Sequence, residues 1–177
     1  MKSLIIAFAM YSKFPMPRVD WEKKALSWAL CWFPLVGLAV GAVLWLWLAL
    51  AGWLGFGAVF TAALALLLPI ALSGGIHLDG YADTCDALSS YGDREKKLEI
   101  LKDPHCGAFA VIRLCSYFAA YLALCACVDF TPRVGLCWTL ALVLERALSG
   151  LAVASFPIAK NTGLAHTFAT AADRTTV

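Results

Sequence analysis

Apolar residues run almost unbroken through much of the first half of the chain. Between Lys24 and His77 lie 52 residues without a single Asp, Glu, Lys, Arg or His. A membrane-crossing helix needs about 20 apolar residues, so this run holds two. The first predicted span covers 26–50, and Gly52, Gly55 and Gly57 mark the turn after it. The second covers 54–73 and is broken by Gly74-Gly75. A polar stretch, 77–105, separates these from two further predicted spans at 107–128 and 134–156, joined by a short connection; the tail, 157–177, is polar. Pro34 is expected to kink the first span. Gly37 and Gly41 form a GxxxG pair, a helix-packing face. Asp103-Pro104 predicts a helix start, with Asp as cap and Pro in the first turn. The apolar stretch after Lys2 is too short for a signal peptide and no small-residue cleavage site follows, so it is expected to form a short interfacial helix. The pattern as a whole predicts an all-α fold, a polytopic membrane helix bundle with about four spanning helices plus interfacial helices, in one domain over 1–177.

Composition agrees. Apolar residues make up 62% of the chain, charged residues 15%, and mean hydropathy is +0.77. These values exclude a disordered chain and argue against a soluble enzyme. The net charge of +2 is no basis for a nucleic-acid partner. Trp21, Trp53, Tyr81 and Tyr117 fall at predicted membrane edges, as interfacial anchors do. The seven cysteines include no CxxC pair, and five lie in apolar segments, so they read as small buried hydrophobes rather than a disulfide or zinc framework. Eleven basic residues, Lys160 and Arg174 of the tail among them, fall on one side of the predicted spans and only Arg133 on the other. By the positive-inside rule both termini and the stretch 77–105 face the cytoplasm, placing a multi-pass protein in the cytoplasmic membrane.

Seven of the twelve acidic residues lie between Asp79 and Asp103. Asp79, Asp83 and Asp86 stand at i, i+4 and i+7, within about 60° of one another on a helix. Like charges so spaced destabilise a bare helix by a few tenths of a kcal/mol, and a hard divalent cation is the simplest compensation. Mg²⁺ takes one or two carboxylates and binds substrate phosphates through its remaining positions. Carboxylates, cation and phosphate together suggest diphosphate chemistry. The alternative is a solvated acidic helix end. Gly74, Gly75 and Gly80 beside the acids allow close backbone approach to a bulky phosphate substrate.

The stretch Gly74-Gly-Ile-His-Leu-Asp-Gly-Tyr-Ala-Asp-Thr-Cys-Asp86 strongly resembles the signature of the cobalamin synthase family, the adenosylcobinamide-GDP ribazoletransferases, which reads approximately GGxHLDGxADTxDG. The block from Arg94 to Phe109 is similar to that family's RExxLEIMKDSxxGxxG. Phe14-Pro-Met-Pro17 resembles its RxPxP stretch, Trp32-Phe-Pro-Leu-Val-Gly37 with Gly41 its fPlVGxxxG, and Gly163-Leu164 with Phe168 its GLgxxF element. The sequence departs from the pattern at Ala87, Pro104-His105 and Ala110. Family members continue with further membrane helices, so the chain is expected to be C-terminally short.

The resemblance implies that adenosylcobinamide-GDP reacts with α-ribazole, or its 5′-phosphate, giving adenosylcobalamin (or its phosphate) and GMP in a Mg²⁺-dependent step. Asp79, Asp83 and Asp86 are then expected metal ligands, with Asp83 central to catalysis. Asp103 is a fourth candidate ligand, or a helix cap. His77 is a candidate general base, or a histidine hydrogen-bonded at the membrane surface. Arg146 lies about ten residues from either end of its span, roughly 15 Å deep, and is a functional candidate by that depth. It is expected to contact a phosphate or a corrin amide, with a packing ion pair as the rival. Glu145 is its neighbour, but adjacent helical positions do not face each other. Arg113 is expected either to snorkel or to pair with the acids, and with Gly75 and Gly80 completes the expected substrate-binding set. Partners are the two substrates and the lipid bilayer, with a homo-oligomer as a further option. The competing readings are another membrane phosphotransferase acting on a diphosphate, of CDP-alcohol or prenyltransferase type, and a divalent-cation transporter. The CDP-alcohol pattern lacks its arginine, since Asp83 stands there. A prenyltransferase would want a second acidic cluster. A transporter would place its polar groups near the bilayer midplane.

Overall fold

The computed structural model describes residues 1–158 and 163–172; Lys160 and Arg174 lie outside the described residues. Every regular element among them is helical: α1 (Lys2–Tyr11), α2 (Lys23–Leu26), α3 (Phe33–Leu54), α4 (Ala58–Ser73), α5 (Ile76–Ser89), α6 (Arg94–Ile100), α7 (Ala108–Ala126), α8 (Pro132–Ser155) and α9 (Leu164–Ala171), with one 3₁₀ turn at Leu30–Trp32. Three stretches, Lys23–Leu54, Ala108–Ala126 and Pro132–Ser155, are long and apolar enough to cross a membrane. The fourth, α4, has 16 residues and passes that test only together with α5, from which it is bent by 94°.

Within the first of these stretches α2, the 3₁₀ turn and α3 follow one another. Phe33 starts α3 and Pro34 sits in its first turn, where a missing N–H costs nothing, so Pro34 opens the helix rather than kinking it. The chain enters through α2 and the 3₁₀ turn. Gly55, at φ 70°, ends α3, with Phe56 N–H donating to the Ala51 carbonyl.

The GxxxG pair does what its spacing predicts. A Cβ on Gly37 would lie 2.5 Å from the Leu142 carbonyl oxygen, and one on Gly41 would lie 2.8 Å from Thr139 Cα. On the opposite helix, a Cβ on Gly135 would lie 2.6 Å from Trp45 Cδ1. Gly150 faces Leu30. Residue numbers rise on α3 as they fall on α8, so the two helices run antiparallel. The buried Thr139 hydroxyl lies 3.0 Å from the Gly41 carbonyl, a bond across the interface, and 2.9 Å from that of Gly135.

This packing puts the start of α3 and the end of α8 at one end of the bundle. The tight turn after α3 returns α4 to that same end, where the Lys13 N–H donates to the Leu72 carbonyl at 2.7 Å. Helix α1 is more than interfacial. Ile6 and Ala7 are fully buried, and Ile6 packs with Leu26, Leu30, Ala154 and Phe168. Phe168 on α9, itself fully buried, gives the tail a role in the core.

Replacing Gly41 by Ile should drive a branched side chain into α8 backbone and cost about 1–3 kcal/mol, read as a lower unfolding midpoint in detergent. The same change at Gly52, whose Cβ would meet nothing within 4 Å, should leave the midpoint nearly unmoved.

Candidate functional site

Two consecutive left-handed residues, Gly74 at φ 68° and Gly75 at φ 76°, make the sharp turn between α4 and α5. Their N–H groups donate to the Ala71 and Ile70 carbonyls and close the end of α4. Helix α5 thus leaves the bundle direction just as its sequence turns acidic. The two sides of its first turn open on different cavities.

The outer cavity, of about 610 Å³, lies between the end of α1, the double-glycine turn, α5 and the start of α7. Lys13, Gly75 and Asp79 line it together. The Lys13 stem runs over Gly74, so close that a Cβ there would lie 2.5 Å from Lys13 Cε. The carboxylates of Asp79 and Asp83, one turn apart, are engaged by no hydrogen bond or ion pair among the described residues. Lys13 enters the sequence reading only as one of the basic residues. It stands at the basic first position of the RxPxP-like stretch that Phe14-Pro-Met-Pro17 continues, a local signal that marks it, and its contact with Leu72 brings it to the site.

Asp86 is different. Its two oxygens accept the N–H groups of Gly107 at 2.6 Å and Ala110 at 2.8 Å, so it caps the start of α7 from another helix. Gly107 is required there, since a Cβ would lie 2.7 Å from that carboxylate. The cap expected from Asp103 is therefore supplied by Asp86. Asp103 accepts instead from the His105 N–H at 2.9 Å and meets its ring at 2.6 Å. Those contacts, the backbone one foremost, hold the Asp103 carboxyl below the ordinary carboxylate range.

The inner cavity, of about 360 Å³, lies under the same turn between α4, α7 and α8. His77, Tyr117, Tyr121, Trp138, Glu145 and Arg146 line it. His77 is two residues from Asp79, about 200° round the helix. It therefore shares this chamber with Arg146 rather than the acidic face, and its ring stacks against Phe33 at 6.0 Å and Tyr11 at 6.5 Å. Arg146 is 5% exposed and pairs with Glu145, one guanidinium bond measuring 2.8 Å. The rival reading of Arg146, an ion pair, is thus realised with its chain neighbour, because both side chains are long enough to curl back around the helix. The guanidinium also lies 5.4 Å from the Phe33 ring centroid. His77 Nε2 and Arg146 Nε are buried without hydrogen-bond partners.

Arg113 is exposed on α7 without an ion pair among the described residues, and Gly80 is exposed with open space above its Cα. Among the described residues no three His, Cys, Asp or Glu side chains are grouped closely enough to hold an ion. Two unengaged carboxylates one turn apart nonetheless suit Mg²⁺, which typically takes one or two and fills its sphere with water and phosphate oxygens.

A family model described as cobalamin-5-phosphate synthase matches residues 3–177. The adenosylcobinamide-GDP ribazoletransferase of Lachnoclostridium phytofermentans is 46% identical over 174 residues, covering 98% of this chain and 66% of that protein. The one of Clostridium botulinum strain Eklund 17B is 38% identical over 117 residues, covering 66% and 46%. The one of Fusobacterium nucleatum is 28% identical over 176 residues, covering 95% and 63%. The chain thus spans between about half and two thirds of the length of these curated relatives. No solved structure matches the chain.

Removing the charge of Asp86 while keeping its shape, in Asp86→Asn, should destabilise the protein by about 1–3 kcal/mol with no metal present. Amide exchange at Gly107 and Ala110 should accelerate. Unchanged exchange in the variant would show that the cap is not made.

Proposed function

The chain belongs to the cobalamin-5-phosphate synthase family, and on that premise we propose that it carries the phosphoryl-transfer site of an adenosylcobinamide-GDP ribazoletransferase. A ribose hydroxyl of α-ribazole, or of its 5′-phosphate, attacks the phosphorus next to cobinamide. A new P–O bond forms as the bond from that phosphorus to the GMP oxygen breaks. The hydroxyl proton is released, and adenosylcobalamin (or its phosphate) and GMP are the products.

The observation that carries this reading is the outer cavity. There Lys13 and Asp79 face one space across a double-glycine turn, with Asp83 unengaged one turn further on. Lys13 supplies a point charge for a diphosphate oxygen. The turn at Gly74-Gly75 keeps side chains away from the incoming phosphate. Mg²⁺, when bound by Asp79 and Asp83, would neutralise diphosphate oxygens and the leaving group. Asp86 and Asp103, whose oxygens have protein partners, support the site rather than complete the metal's ligands. Phosphoryl transfer asks little covalent work of a protein, so positioning and charge suffice without a proton-accepting role for His77. The end of the bundle that carries Lys13 and the acids faces the cytoplasm of a cell-membrane protein, in line with the basic residues gathered there.

Purified full-length protein in detergent, given adenosylcobinamide-GDP, α-ribazole and Mg²⁺, should release GMP. Asp83→Ala should lose at least the roughly 10–100-fold that even outer partners of a metal cost. Lys13→Ala should raise KM for the corrinoid about tenfold. Asp93→Ala, which removes only the cap of α6, should turn over normally. Full turnover by folded Asp83→Ala would sink the assignment.

A further inference from the structure

The inner cavity holds a feature that the diphosphate chemistry leaves unexplained. A guanidinium that is 94% buried as a side chain is paired with a carboxylate, so the pair brings no net charge to the chamber. An anionic phosphate entering there would meet Glu145 as well as Arg146 and gain little. Yet the Arg146 Nε–H and His77 Nε2 both remain without partners, which is costly for buried polar atoms unless something completes them. The walls are aromatic. Tyr117 and Tyr121 stand 5.8 Å apart on α7, and Trp138 on α8 lies 6.0 Å from Tyr121. Flat walls, a neutral ion pair and an unused N–H donor select a planar, uncharged heterocycle whose ring nitrogen has a free lone pair. An acyl chain could use the walls but not the donor. The volume, about 360 Å³, lies in the roughly 300–1000 Å³ range of small-molecule sites.

A second observation ties this chamber to the first. Ser73 lines both cavities, at the residue just before the double-glycine turn. A nucleoside whose base occupied the inner cavity would thus have its sugar beside the turn that borders the outer one, where the diphosphate reading needs a hydroxyl. We infer that the cavity between α4, α7 and α8 is the site for the base of the acceptor nucleoside, its ring against the aromatic wall of Tyr117, Tyr121 and Trp138 and its free ring nitrogen accepting from Arg146 Nε–H. The naming of ribazole's benzimidazole as that base rests on the proposed function; the selection of a neutral heterocycle does not.

The test is equilibrium binding to the full-length protein in detergent, without Mg²⁺ or corrinoid, with α-ribazole, free benzimidazole and inorganic phosphate as separate probes. Both heterocycles should bind saturably, and phosphate should not compete with them. Tyr121→Ala should weaken α-ribazole about tenfold by loss of stacking. Arg146→Lys, which keeps a charge for Glu145 but lacks the Nε–H, should weaken it by a similar factor, about tenfold. Each variant is checked for folding by its melting curve. Unaltered affinity in folded Tyr121→Ala, absence of saturable heterocycle binding, or competition by phosphate each overturns the inference. Protein that turns over but binds no heterocycle defeats this inference alone. Heterocycle binding without GMP release defeats the proposed reaction and leaves the cavity's ligand standing.

Discussion

Everything at the candidate site depends on two adjacent residues holding a left-handed backbone. At the edge of a membrane a helix cannot simply stop, because its last carbonyls need partners that lipid does not supply. Gly74 and Gly75 meet that need by folding their N–H groups back onto Ala71 and Ile70, at φ values that cost an L-residue about 1–2 kcal/mol each. The 94° bend that results turns an apolar helix into an acidic one lying across the bundle. It also opens space on both sides of the bend. Without it α5 would continue α4 straight out of the bundle, and Asp79 would be carried away from the space that Lys13 lines.

The three aspartates of α5 share a face, as their spacing requires, but not a task. They stand at different heights along the helix, about 6 Å and 4.5 Å apart, and each height meets a different neighbour. Asp79 opens on the outer cavity. Asp86 reaches the bare N–H groups of α7, where Gly107 has no side chain to cap with. A helical wheel shows the shared face and is blind to this division, since it contains no information about what lies opposite.

The same distinction separates what was legible in the sequence from what was not. Span existence, the packing role of Gly37 and Gly41, and the break at Gly74-Gly75 follow from composition and from properties that glycine has anywhere. The full burial of Ile6, the seating of Lys13 against Leu72 and the capping of α7 by Asp86 all depend on contacts between elements distant in the chain, whereas the opening of α3 at Phe33 follows from Pro34. His77 is intermediate. Its angular offset from Asp79 was available from the helix repeat, but closeness in sequence to the acids weighed against it.

Arg146 shows how depth and chemistry must be weighed together. It lies nine residues from the end of α8, about 14 Å along the helix, and a lone charge at that depth would be read as waiting for an anion. Burying the Arg146 guanidinium costs several kcal/mol of desolvation before its attraction to the half-exposed Glu145 is counted, so stability alone does not account for it. Nor does a neutralised guanidinium attract phosphate strongly. What the pair retains is direction. The Phe33 ring and the Glu145 carboxylate fix the plane of the guanidinium, and one rigid N–H is left over in an aromatic chamber beneath the turn. A donor of that kind discriminates by shape and lone pair rather than by charge, which sets the inferred heterocycle site apart from the diphosphate proposed for the outer cavity.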